Sequence, residues 1–141
     1  MIAKARILVV DDDPDIKLQV ETVLRGEGYA VESASSREEA EELLLGGKPD
    51  LAVVDLMMET MDSGFVLAHR LNELYPGTPV IMLTAVTAAT GLSFGTTMRE
   101  ARSWMKIGCV LDKPVRADQL KAEVRRMLSE ASKKDAGAEV K

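Results

Sequence analysis

The sequence predicts an α/β fold, a doubly wound sandwich on a five-stranded parallel sheet, and two observations carry that prediction. Five short apolar runs recur: Ile7-Leu8-Val9-Val10, Tyr29-Ala30-Val31, Leu51-Ala52-Val53-Val54, Val80-Ile81-Met82-Leu83 and Cys109-Val110-Leu111. They are continuous rather than alternating, which suits strands buried on both faces of a parallel sheet. Between them lie amphipathic patterns with readable helix ends, and strand–helix alternation of this kind builds a two-sided sandwich.

Each element has its own signals. The second run is the weakest of the five and is expected at an edge. Asp13 and Pro14 supply an N-cap and a proline at the first helical position; Ile16, Val20, Val23 and Leu24 form one face, and Gly26 with Gly28 ends the helix. Ser36-Arg37-Glu38-Glu39 is a capping-box pattern, followed by inward-facing Ala40, Leu43 and Leu44 and closed by Gly46-Gly47. Phe65, Ala68, Leu71 and Leu74 mark a third helix that stops at Pro76-Gly77. Residues 85–102 are rich in Thr, Ala, Gly and Ser, which predicts a long loop, then a helix over 97–106 that contains Trp104. A last helix carries Leu120, Val124, Met127, Leu128 and Ala131, and the polar segment 132–141 is expected to fray.

Composition narrows the function. The 141 residues make one domain of ordinary size, with 46% hydrophobic and 29% charged residues. A chain of this mass folds to about 7,000 Å² of surface against about 22,000 Å² extended, enough burial for a core without staples. The net charge of -5 and a pI near 5.0 give no overall basic field for nucleic acid or an anionic membrane. The single Cys109 cannot form an internal disulfide, which points to a reduced, cytoplasmic setting. Asp11, Asp12 and Asp13 cut the first apolar run at four residues, so it reads as neither signal peptide nor membrane span.

The polar residues gather after the strands. In open α/β sheets ligands bind outside the carboxyl ends of the strands. There Asp11 and Asp12 follow the first run, Asp55 the third, Thr84 the fourth and Lys113 the fifth. Close carboxylates repel unless a cation sits among them, and hard oxygen ligands with open places suit Mg²⁺. An ionised Asp55 needs no general base to attack phosphorus. Mg²⁺ and Lys113 would offset charge on the transferring phosphoryl oxygens, and Thr84 could donate a hydrogen bond to one. Taken singly, each residue has a plainer reading: an aspartate after a strand is usually a cap, as for Asp13 and Asp15, and a lone lysine is usually solvated. Joint placement after four strands favours a phosphoryl acceptor.

These residues resemble the receiver domain of bacterial two-component response regulators. Ile7-Leu8-Val9-Val10-Asp11-Asp12-Asp13-Pro14 resembles the family's acidic first-strand motif, and Leu51-Ala52-Val53-Val54-Asp55-Leu56-Met57-Met58 its phosphoacceptor strand. Met82-Leu83-Thr84-Ala85 and Leu111-Asp112-Lys113-Pro114 resemble the remaining two motifs. The resemblance implies a flavodoxin-like sheet of strand order 2-1-3-4-5, with the receiver over 1–131 and the tail over 132–141. It implies that Asp55 is phosphorylated by a histidine kinase or histidine phosphotransfer protein. Asp12 would bind Mg²⁺ directly, Asp11 through charge and water, Asp55 as a further ligand and Met57 through its backbone carbonyl. Thr84 would be the switch hydroxyl and Lys113 the phosphoryl partner. The implied protein is not a turnover enzyme but a single-domain switch, whose face on the fourth helix, fifth strand and fifth helix is read by an unidentified downstream protein. A phosphorylation-dependent dimer is among the outputs such a switch can use.

The sequence also departs from the family. Glu59 stands where a proline is usual, Asp62-Ser63-Gly64 replaces Asp-Gly, and Val110 replaces a common aromatic switch residue. Arg116 stands where small polar residues are common. The stretch between Thr84 and Lys113 is longer than usual, and Gly91 and Gly95 suggest a hinged lid or partner surface there. Two other classes compete. Asp11-Asp12-Asp13 after a strand also fits the Asp-x-Asp nucleophile of haloacid-dehalogenase-like phosphatases, although Asp55 would then be idle. A phosphorylation-independent adaptor would not need Asp12, Asp55, Thr84 and Lys113 together. His69 reads as a surface histidine, Cys109 as a small buried hydrophobe, and 37–42 as a solvated acidic helix face.

Overall fold

A computed structural model describes residues 5–55, 63–84, 107–112 and 116–140. Strands β1 (Arg6–Val10), β2 (Ala30–Ala34), β3 (Leu51–Asp55), β4 (Val80–Thr84) and β5 (Ile107–Asp112) alternate with α1 (Pro14–Gly26), α2 (Arg37–Leu45) and α3 (Ser63–Leu74), and a C-terminal helix spans Ala117–Val140. All pairings are parallel, in the spatial order β2-β1-β3-β4-β5. The weak second run is at an edge. The long loop, Trp104 and the helix expected over 97–106 lie outside the described residues, as do Glu59 and the lid segment.

Alternation along each strand builds two cores. Leu8, Val10, Ala52, Val54, Val80 and Met82 pack with α2 and α3 on one face. Ile7, Val9, Leu51, Val53, Ile81, Leu83 and Leu111 pack with α1 and the C-terminal helix on the other. Successive side chains of a strand point to opposite faces, so a run apolar at every position must be covered on both. Residues such as Ile7, Val9, Leu24 and Val53 have no exposed surface, and full burial of a side chain of this kind contributes about 1.5–3 kcal/mol.

The helix ends follow local chemistry. Asp13 caps α1, its carboxylate accepting from the Asp15 and Ile16 N–H groups, and Pro14 occupies the first helical position. At the other end Gly28, at φ 95°, donates to Arg25 O, and the Tyr29 N–H reaches Leu24 O at 3.3 Å. This two-bond stop needs a left-handed residue, and Tyr29 and Leu24 both enter the α1-side core beside it. Ser36 caps α2 by accepting from the Glu39 N–H, while the Glu39 carboxylate accepts from the N–H of Ser35, one residue earlier than a standard box. The Tyr75 hydroxyl donates to Leu44 O at 2.6 Å, joining the end of α3 to the last turn of α2.

One expectation is corrected. Segment 132–141 does not fray from its first residue, because the C-terminal helix continues to Val140. The segment lacks proline and holds three lysines and two alanines, good helix formers, so its polarity does not mark a coil.

Two outcomes test this account. Leu24→Ala, at a fully buried site, should lower the urea-unfolding free energy by about 2–5 kcal/mol, whereas Leu18→Ala at an exposed site should stay within about 0.5 kcal/mol. Burial raises the Tyr29 hydroxyl above its ordinary pKa, with the Arg125 guanidinium opposing and Glu27 reinforcing the shift. The folded state therefore holds the phenolic proton longer than the unfolded chain. Its contribution is complete below pH 10 and is lost as pH rises through the folded value. Urea midpoints measured between about pH 9 and 12 should fall more steeply in the native protein than in Tyr29→Phe.

Candidate functional site

The register of the sheet builds the site. Val10 pairs with Val54 on β3, so the next residue of each chain, Asp11 and Asp55, emerges at the same level at the carboxyl end of the sheet. Both follow residues of the α1-side core, Val9 and Val53, by two positions, and so continue that face of the pleat. Asp11 has no exposed surface and Asp55 is 3% exposed, while Asp12, in the turn before α1, is exposed. One carboxylate oxygen from each of the three lies within 4.8 Å of the others.

The turn itself is fixed by hydrogen bonds. The Asp11 N–H donates to Ala34 O of β2 at 3.1 Å, and Asp11 Oδ1 accepts from the Asp13 N–H at 2.9 Å. The Asp13 carboxylate turns the other way, into the first turn of α1. The Lys17 ammonium donates to Ser35 Oγ, tying α1 to the loop ahead of α2. Asp13 is thus the cap its pattern announces, not a member of the carboxylate group. Sequence reasoning missed that its backbone also holds Asp11; a hydrogen bond between neighbours in a turn leaves no periodic signal.

The other expected site residues fall as follows. Thr84 ends β4, and its backbone pairs with Asp112, the last residue of β5. Lys113, next in sequence after Asp112, and Met57 lie outside the described residues. Val110 pairs with Met82 in the β4–β5 ladder. Arg116 is exposed and pairs with Asp118 at 3.1 Å. His69 is half exposed on α3, 3.8 Å from Glu73, as a surface histidine should be.

The donor set fits a hard divalent cation. It offers only carboxylate oxygens, the hard ligands that Mg²⁺ takes, grouped within 4.8 Å of one another. Three carboxylates do not fill an octahedron, which leaves places for water and for a phosphoryl oxygen.

The comparisons agree with this geometry. Residues 7–125 match the response regulator receiver domain family. The transcriptional regulatory protein GlrR of Escherichia coli is 42% identical over 81 residues, 57% of this chain and 18% of that protein. The response regulator MprA of Mycolicibacterium vanbaalenii is 30% identical over 136 residues, 95% of this chain and 54% of that protein. The chain thus spans about half the length, or less, of these curated relatives. A CheY-like receiver domain protein from Methanospirillum hungatei superposes with a TM-score of 0.80 at 28% identity, over 92% of this chain and 98% of that one. Among the described residues no helix is long and apolar enough to cross a membrane. Sequence match, α/β flavodoxin-like fold and grouped aspartates converge on one assignment: the chain belongs to the response regulator receiver domain family of two-component signalling.

Proposed function

We propose that this chain is a phosphoacceptor switch in which Asp55 takes a phosphoryl group from a histidine kinase or a histidine phosphotransfer protein. The observation that supports it best is the buried Asp55 carboxylate grouped with Asp11 and Asp12 at the carboxyl edge of the sheet. In the proposed step an Asp55 oxygen bonds to phosphorus as the bond from phosphorus to the donor's imidazole nitrogen breaks. The electron pair of that bond returns to the ring. Bound Mg²⁺ would supply charge neutralisation for the phosphoryl oxygens. Asp11, Asp12, Asp55 and the Met57 carbonyl are its proposed ligands. Lys113 pairs with the phosphoryl group and Thr84 donates to it as the switch hydroxyl.

The grouping also bears on the alternatives. A phosphatase built on Asp11 as nucleophile leaves the buried Asp55 without a task, and a phosphorylation-independent adaptor has no use for three repelling carboxylates. The modified form is read by a downstream protein or by a second copy of the chain, in the cytoplasm. The receiver unit spans 1–131.

Incubation with Mg²⁺ and acetyl phosphate should add one phosphoryl group by intact mass. The gain should need Mg²⁺ and vanish in Asp55→Asn. A gain that survives Asp55→Asn and fails in Asp11→Asn would transfer the assignment to the phosphatase reading. Before any cation binds, the carboxylates oppose folding. Asp11→Asn keeps an oxygen for the Asp13 N–H and removes one charge, so in EDTA it should raise the unfolding free energy by about 1 kcal/mol. The same variant should lose the increase in Tm that Mg²⁺ gives the native protein.

A further inference from the structure

We propose that Asp13 is a positioning residue for the divalent cation: it binds no metal, but its cap on α1 holds the turn that presents Asp11 and Asp12. The proposal rests on the reading of Asp11, Asp12 and Asp55 as cation ligands.

Two hydrogen-bond systems meet at this residue. Its N–H donates to Asp11 Oδ1 at 2.9 Å, fixing the orientation of a carboxylate with no exposed surface. Its own Oδ1 accepts from the Asp15 N–H at 2.9 Å and the Ile16 N–H at 3.4 Å. The Asp13 carbonyl accepts from the Lys17 N–H at 3.0 Å, the first bond of the helix. The peptide that holds Asp11 is therefore anchored to α1 through the Asp13 side chain and carbonyl. Asp12 lies between the two anchored residues and is exposed.

The energetics give the cap its leverage. Loss of an aspartate N-cap weakens the first turn of a helix, while asparagine caps about equally well. Groups that orient metal ligands without touching the ion commonly change affinity by about 10–100-fold. Mg²⁺ is held by few protein ligands and several waters, so an effect at the lower end of that range is expected.

The test is calorimetric titration of Mg²⁺ into the unphosphorylated full chain, far below its Tm and at high ionic strength, which screens the exposed Asp13 charge. The native protein, Asp13→Ala, Asp13→Asn and Asp13→Gly are compared. Glycine removes the capping oxygen at little cost to the helix, so it carries the test should the alanine variant not fold. The expected result is affinity about tenfold weaker in Asp13→Ala and Asp13→Gly, with Asp13→Asn within about twofold of native. Native affinity in Asp13→Ala and Asp13→Gly would overturn the proposal, as would equal weakening in Asp13→Asn, which would assign the effect to charge. If the native protein binds no Mg²⁺, the cation reading itself fails and the proposal with it, an outcome distinct from the other two.

Discussion

The pairing of β1 with β3 is the constraint on which the remainder depends. Their register sets Val10 beside Val54, and with it Asp11 beside Asp55. A slip of one residue would exchange the faces of every side chain on one strand. Ile7 and Val9 would leave the α1-side core, Leu8 and Val10 would enter it, and the two carboxylates would no longer share a face. Both faces are close-packed, so the slip would misfit four side chains into cores shaped for others, at about 1–3 kcal/mol apiece. Repulsion between two carboxylates at 4.8 Å amounts to about 3 kcal/mol at an effective dielectric near 20, and to less where one is exposed. The core wins, and it holds the charges together against their own preference.

The amino end of the sheet is fastened by a different chemistry. Arg6 pairs with Glu32 of β2 and donates to Lys48 O at 3.3 Å, while its backbone exchanges bonds with Asp50. Gly47 makes room for that guanidinium: a Cβ there would stand 2.7 Å from Arg6 Nη1, and its φ of 154° already disfavours a side chain. Glu27 and Arg125 join the end of α1 to the C-terminal helix at 2.8 Å. Exposed pairs of this kind contribute little individually. Their placement matters more than their energy, since they close the amino end of the sheet with neutralised pairs, at the opposite end from the grouped aspartates.

Much of this was legible in the sequence, for reasons that differ by element. Doubly buried strands announce themselves as continuous apolar runs, and Asp13-Pro14 and Ser36 through Glu39 announce helix starts because capping is a short-range affair. The C-terminal helix was read too short: beyond Ala131 no apolar periodicity marks it in the sequence, yet it continues to Val140. Strand order is not written in local pattern at all, since nothing in Leu51-Ala52-Val53-Val54 names its neighbour; family likeness, not periodicity, pointed to it. The carboxylate group was legible as a list of residues after strands. Its geometry, with Asp11 and Asp55 buried and Asp12 exposed, emerged only when register and turn were combined.

The run Asp11-Asp12-Asp13 shows how three identical side chains acquire different duties from position alone. Asp11 continues the pleat of β1 and is drawn under the α1-side layer, where it gains a backbone donor and loses solvent. Asp13 has the extended backbone of an N-cap, φ -87° and ψ 112°, so its carboxylate is claimed by the free N–H groups of α1. Asp12 has neither a strand to continue nor a helix to cap, and it keeps its charge in solvent beside the other two. A carboxylate satisfied by helix N–H groups has fewer lone pairs left for a cation, in keeping with the place of Asp13 outside the carboxylate group. The same competition makes the arrangement directional. The helix dipole and its N–H groups hold the third aspartate, while the carboxylates of Asp11 and Asp12 stay grouped with that of Asp55 at the carboxyl end of the sheet.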